Sequence, residues 1–274
     1  MNLRILSLTT LVSLSLMVSG SPSNAGTIQL PDIAAIDETI KSCDKGNVDD
    51  CDRVTLFYQS ERAPKKDFVK ALRYAKKSCD LGGKNGCSLV GLYHALGIGT
   101  KQDYAKAAKY YQLGCDYDHE QACTNLGAQY TNAQGVKQDH KKAAMLYKKA
   151  CDLGDHLGCY NLGANYINGI GVQKDTKKAH ALLSTSCDLG SGEACSFIGG
   201  SYMKGDIVKQ DYAKTRQYFI KACDDNIGNA CNGLGALYVN GNGGKQDANL
   251  AIRLFKKACD LGNQLGCRNY QKLK

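Results

Sequence analysis

The cysteines of this chain recur on a fixed lattice. Cys43, Cys79, Cys115, Cys151, Cys187, Cys223 and Cys259 stand 36 residues apart, and each is followed eight residues later by Cys51, Cys87, Cys123, Cys159, Cys195, Cys231 or Cys267. A strict period of that length is the mark of stacked structural repeats, each touching only its neighbours, and no single enzyme-like core need be sought. All 14 cysteines of the 274 residues are used by the lattice. So high and even a count points to an oxidising compartment rather than the cytosol.

Superposing the repeats assigns a job to each register position. Cys123-Thr-Asn-Leu126-Gly127-Ala-Gln-Tyr130 returns as Cys159-Tyr-Asn-Leu162-Gly163-Ala-Asn-Tyr166 and as Cys231-Asn-Gly-Leu234-Gly235-Ala-Leu-Tyr238. Offsets 0, 3, 4 and 7 lie on one stripe of an α-helix, with Tyr supplying volume and Gly admitting a facing helix. Asp67, Asp103, Asp139, Asp175, Asp211 and Asp247 each precede a second Ala/Lys/Tyr-rich helix, where an acidic side chain caps free backbone N–H groups. Three residues after each first Cys comes Gly46, Gly82, Asp118, Gly154, Gly190, Asn226 or Gly262, the residue types that best tolerate a left-handed helix end.

Each unit therefore reads as a pair of antiparallel helices, and the expected fold is all-α: a right-handed superhelical solenoid of αα-hairpins. The eight-residue spacing sets one sulfur on the last turn of a helix and the other on the first turn of the next. Seven local bridges follow, one per hairpin, each worth about 2.5 kcal/mol in the chain-entropy account of a nine-residue loop. Structural zinc is the rival use of paired cysteines. It favours Cys two to four residues apart with a second pair or a His close by, and the scattered His94, His119, His140, His156 and His180 do not supply that. No metal site and no cofactor is expected.

The ends and the charge narrow the setting. Met1–Arg4 is a short basic start, residues 5–18 are apolar or hydroxylated, and Ser23-Asn24-Ala25 offers a cleavage site, so residues 1–25 read as a secretory signal and 26–274 as the repeat domain. The apolar run is too short to span a bilayer, and the expected location is secreted or periplasmic. The net charge of +9 comes largely from Lys pairs such as Lys76-Lys77, Lys141-Lys142 and Lys177-Lys178. Acids are interleaved with them and the tyrosines fall at core phase, so a nucleic-acid reader is not expected.

The helix pattern resembles the tetratricopeptide signature Trp-x-x-Leu-Gly-x-x-Tyr, with Cys where Trp would stand, and the longer loop and 36-residue period resemble the related Sel-like repeat. Regular Cys pairs on such repeats behind an export signal resemble the Helicobacter cysteine-rich protein family, over essentially all of the chain from about residue 31. His94 at a repeat Tyr position and Thr55 at a repeat Gly are departures. The resemblance implies β-lactamase or penicillin-binding activity, with weak hydrolysis of β-lactams. The residues themselves lend that little: Ser-Asp-Asn and Lys-Thr-Gly are absent, and Ser-x-x-Lys occurs only as Ser42–Lys45 and Ser201–Lys204.

Binding without catalysis is the alternative. Stacked helix pairs expose a concave surface, and the flank one residue past the second Cys reads Ser88, Thr124, Tyr160, Ser196 and Asn232. That polar set would suit a peptide, a cell-wall fragment or a host protein, and it would equally suit a merely solvated face. Asn125 and Gln129, with Asn161 and Asn165 one repeat later, form a second flank, for contact with a ligand or with inter-repeat backbone groups.

Overall fold

The structure, a computed structural model, describes residues 29–31 and 33–274. Fourteen helices and no strand occur among the described residues: α1 (Ile36–Asp44), α2 (Val48–Gln59), α3 (Phe68–Asp80), α4 (Lys84–Leu96), α5 (Tyr104–Asp116), α6 (Glu120–Asn132), α7 (His140–Asp152), α8 (His156–Asn168), α9 (Thr176–Asp188), α10 (Gly192–Lys204), α11 (Tyr212–Asp224), α12 (Gly228–Asn240), α13 (Ala248–Asp260) and α14 (Gln264–Leu273). The proposed export signal, residues 1–25, lies outside the described residues. Two compact units divide the chain between Gly158 and Cys159.

The helix boundaries follow the capping chemistry in the sequence. Asp67, Asp103, Asp139, Asp175, Asp211 and Asp247 each accept a backbone N–H from three residues on, at 2.8–3.0 Å. At the other end, Gly46, Gly82, Gly154, Gly190 and Gly262 have positive φ, and so do the two non-glycine residues in that register, Asp118 (φ 58°) and Asn226 (φ 62°). A different left-handed position does cost something. Ala133 follows α6 at φ 55°, where Gly97, Gly169, Gly205 and Gly241 stand after the corresponding helices. A Cβ there is unfavourable by roughly 1 kcal/mol, so Ala133→Gly is expected to stabilise the protein by about that amount, read as a higher urea midpoint.

In the first unit α2 packs on α3, α4 on α5 and α6 on α7, while the Cys turns set α1 against α2, α3 against α4 and α5 against α6. Tyr93, Tyr111, Tyr147 and Leu126 are fully enclosed. The repeat glycines make room for these rings: a Cβ on Gly91 would come 2.5 Å from Tyr111, and one on Gly127 2.7 Å from Tyr147. Here the bridges Cys43–Cys51, Cys79–Cys87 and Cys115–Cys123 join Cα atoms 4.5–4.7 Å apart. Those separations lie within the range a disulfide requires.

The second unit repeats the scheme, α9 packing on α10, α10 on α11, α11 on α12, α12 on α13 and α13 on α14. Bridges join Cys187 to Cys195, Cys223 to Cys231 and Cys259 to Cys267. Cys151 and Cys159 are disulfide-bonded as well, and no cysteine among the described residues is free. The loop after α12 is held by Arg216, whose guanidinium donates to the carbonyls of Asn242, Leu237, Gly244 and Lys245 and lies 4.1 Å from the Tyr238 ring. Arg216→Ala would leave the buried Leu237 carbonyl and three part-buried ones without this donor, and a loss of about 2–3 kcal/mol is expected. Hydrogen exchange should show it first, at residues 241–247.

Candidate functional site

The flank one residue past the second Cys serves chiefly where one hairpin meets the next. Ser88, Thr124 and Tyr160 are buried, while Ser196 and Asn232 are partly exposed. Thr124 Oγ1 donates to Asp155 Oδ2 in the following Cys turn, and Asn232 Oδ1 accepts from Asn269 Nδ2 at 2.9 Å. Burial above all, with the Glu193 carboxylate adding to it, pushes the Tyr160 hydroxyl up to about 12. Asp52 holds the same register in the first repeat, where it accepts from Ser78 Oγ at 2.6 Å and Asn85 Nδ2 at 3.0 Å. Burial raises its carboxyl above the usual carboxylate range despite those two donors.

On the second flank Asn161 and Asn165 are buried, as is Ser201 one repeat on. A cavity of about 680 Å³ is lined by Ile167 and Asn168 at the end of α8, by Ile170, Lys174 and Thr176 beyond it, by Phe197, Gly200, Ser201 and Lys204 along one face of α10, and by Asp206 and Ile207. Phe197 and Ser201 occupy the registers of Asn161 and Asn165. A Cβ on Gly200 would meet nothing within 4 Å, so this face of α10 opens onto space rather than onto a packed helix. In the first unit the matching Gln129 is buried and donates to the Tyr104 carbonyl.

Neither Ser-x-x-Lys serine is placed for acyl transfer. Ser42 lies in the last turn of α1, and Ser201 lies in the last turn of α10 with its hydroxyl donating to the Phe197 carbonyl at 3.2 Å. A helix C-terminus carries the negative end of the dipole, opposite to what a developing oxyanion needs. Ser201→Ala is therefore expected to leave nitrocefin hydrolysis by the purified, oxidised protein unchanged. A tenfold loss, about 1.4 kcal/mol of barrier, would place a nucleophile there after all. Among the described residues no group of three or more His, Cys, Asp or Glu side chains is arranged to hold a metal ion.

Charge is arranged in opposite senses at the two ends of a hairpin. The seven Cys-to-Cys turns hold 14 of the 26 acidic residues and only two lysines, Lys45 and Lys84. From α3 to α11, each helix that follows a loop starts with lysines, as at Lys70, Lys106, Lys142, Lys178 and Lys214, and ends on Asp80, Asp116, Asp152, Asp188 or Asp224. Both placements oppose the helix dipole, at a local cost of roughly 0.3–1 kcal/mol per charge. Lys77, Lys149 and Lys221 offset part of it by reaching Asp44, Asp118 and Asp188 at 2.6–3.2 Å.

The Sel1 repeat profile matches residues 56–83, 85–118, 120–155, 156–191, 192–226 and 228–263, and the chain belongs to the Sel1 repeat family, in a cysteine-rich form. Among solved structures it is similar to a Sel1 repeat protein from Oxalobacter formigenes, at 23% identity and a TM-score of 0.80 over 88% of this chain and 69% of that one. It is also similar to c5321, a protective antigen of uropathogenic Escherichia coli, at 24% identity and a TM-score of 0.79 over 86% of this chain; it spans 50% of that chain's length. Both likenesses concern the fold. Cysteine rich protein B of Helicobacter pylori is 38% identical, covering 49% of this chain and 96% of that one, with a TM-score of 0.39. No curated protein matches the chain. The disulfides fit an extracellular or periplasmic protein, and no described helix is long and apolar enough to cross a membrane.

Proposed function

We propose that the protein is an exported binding scaffold that holds an extended peptide segment, of a partner protein or of the cell wall, against the open face of α10. The observation that carries this reading is the cavity beside Gly200. Its apolar floor is built from Ile167, Ile170, Phe197 and Ile207, and Lys174, Lys204 and Asp206 stand round it. A hollow that sets apolar side chains beside charged and hydrogen-bonding ones can hold both the side chains and the backbone of a peptide. Sel1 repeats commonly mediate protein binding, which favours the same reading. A peptide side chain would seat on the apolar floor, and backbone or acidic groups would meet the lysines.

The test is selection from a displayed peptide library on the oxidised protein, followed by Gly200→Trp. A Cβ at this position meets nothing within 4 Å, so the indole would project into the cavity. Selected peptides are expected to lose about tenfold or more in affinity, equal to about 1.4 kcal/mol, with the helical circular dichroism unchanged. No enrichment of peptides, or equal binding by Gly200→Trp, would overturn the proposal.

A further inference from the structure

The first unit carries a separate depression of about 340 Å³, lined by Leu72 and Lys76 of α3, Val90 and His94 of α4, and Lys106, Lys109 and Tyr110 of α5. Three lysines surround it and no acid lines it. Lys106 reaches the capping carboxylate Asp103 at 3.4 Å, whereas Lys76 and Lys109 form no ion pair among the described residues. The floor is apolar and flat. Val90 is fully buried, Leu72 and Tyr110 pack against its cluster, and the rings of His94 and Tyr110 stack at 5.9 Å with 13° between their planes. Burial, reinforced by the charge of Lys106 and opposed by that of Asp103, holds His94 below the ordinary histidine range, so it offers an uncharged ring at neutral pH.

The repeat register makes this depression unusual within the chain. One and two repeats on, the positions of Lys76, Lys106 and Lys109 hold Gln112, Lys142 and Met145, then Lys148, Lys178 and Ala181. Further along they hold Ser184, Lys214 and Gln217, then Ile220, Leu250 and Arg253. Only between α3 and α5 are all three basic. His94 likewise departs from its register, which reads Tyr58, Tyr130, Tyr166, Tyr202 and Tyr238 in the other internal hairpins. The scaffold requires neither departure, since the other repeats pack without them. Like charges gathered round an apolar hollow repel one another, and an anion relieves that repulsion.

We infer that this depression is a binding site for a small anion with an aromatic or aliphatic body, its acid group held by Lys76, Lys106 and Lys109 and its body laid on Leu72, Tyr110 and His94, above the buried Val90. The site is distinct from the cavity on α10 and does not depend on a peptide ligand. The volume matches the lower end of ordinary small-molecule pockets.

The probe is 8-anilinonaphthalene-1-sulfonate, titrated by fluorescence into the full-length oxidised protein, beside the uncharged N-phenyl-1-naphthylamine. Saturable binding of the sulfonate is expected, with the neutral analogue weaker by about tenfold or more, since a hydrogen bond to a charged group is worth that much. The double variant Lys76→Gln/Lys109→Gln should lose a similar factor. Both side chains are exposed, so the fold and the thermal midpoint should hold. Lys141→Gln/Lys177→Gln should bind the sulfonate as the parent does. Methyl resonances of Leu72 and Val90 should shift on titration. Equal binding of the neutral analogue, indifference to the Lys76/Lys109 variant, or shifts confined to other methyls would overturn the assignment.

Discussion

Replacing Cys115 and Cys123 together by alanine is expected to cost the first unit about 2–4 kcal/mol. It should appear as a fall in urea midpoint at nearly unchanged slope. The bridge closes the α5–α6 turn with Cα atoms 4.7 Å apart, and both half-cystines are buried at 1% and 0% exposure. Without it the unfolded chain regains the freedom of a nine-residue loop, and the folded state loses packed sulfur. The same change at Cys259 and Cys267 should cost less of the whole, because only Gly266 of α14 is buried and the last hairpin can fray alone. A loss below about 0.5 kcal/mol at Cys115/Cys123 would fall outside the range of native bridges and would mean that helix packing alone holds the hairpins.

The second large effect lies at the contact between Tyr111 and Gly91. Tyr111 is fully enclosed, and burial raises its hydroxyl well above the ordinary tyrosine range, so truncation to alanine removes a ring that nothing else can replace. A loss of about 3–5 kcal/mol is expected for Tyr111→Ala. Gly91→Ala alone should cost about 1–3 kcal/mol, since its Cβ would lie 2.5 Å from the ring. In the Tyr111→Ala background the added methyl enters the vacated space, and its cost should shrink or change sign. Denaturant unfolding of the four proteins measures this coupling. Strict additivity would contradict the packing described.

These two sites show why so much of the fold was legible in the sequence. Tyr111 and Gly91 belong to registers that repeat every 36 residues, and a periodic demand for a ring on one helix and no side chain on its neighbour has one simple packing solution. The capping aspartates and the left-handed Asp118 and Asn226 were legible because their chemistry is local. Division of the repeats into two compact units left no trace in that period.

The sites were harder to read because polarity does not reveal what a side chain faces. Thr124 looked like a groove residue, yet its hydroxyl is used by Asp155 of the next turn. Asn232 likewise serves Asn269. The α10 cavity instead falls on the flank of Phe197 and Ser201, in registers that vary from repeat to repeat, so no single residue type marks it. The lysine-lined depression draws on α3, α4 and α5 at once, so no spacing along the chain announces it.

The clamped turn is the claim on which the rest depends, and disulfide mapping of the protein, made in an oxidising compartment and kept under non-reducing conditions, tests it most directly. Proteolysis and mass spectrometry should return links only between cysteines eight apart, such as Cys43–Cys51 and Cys187–Cys195, with no free thiol. A link joining two different turns, or unbridged cysteines in that material, would contradict it.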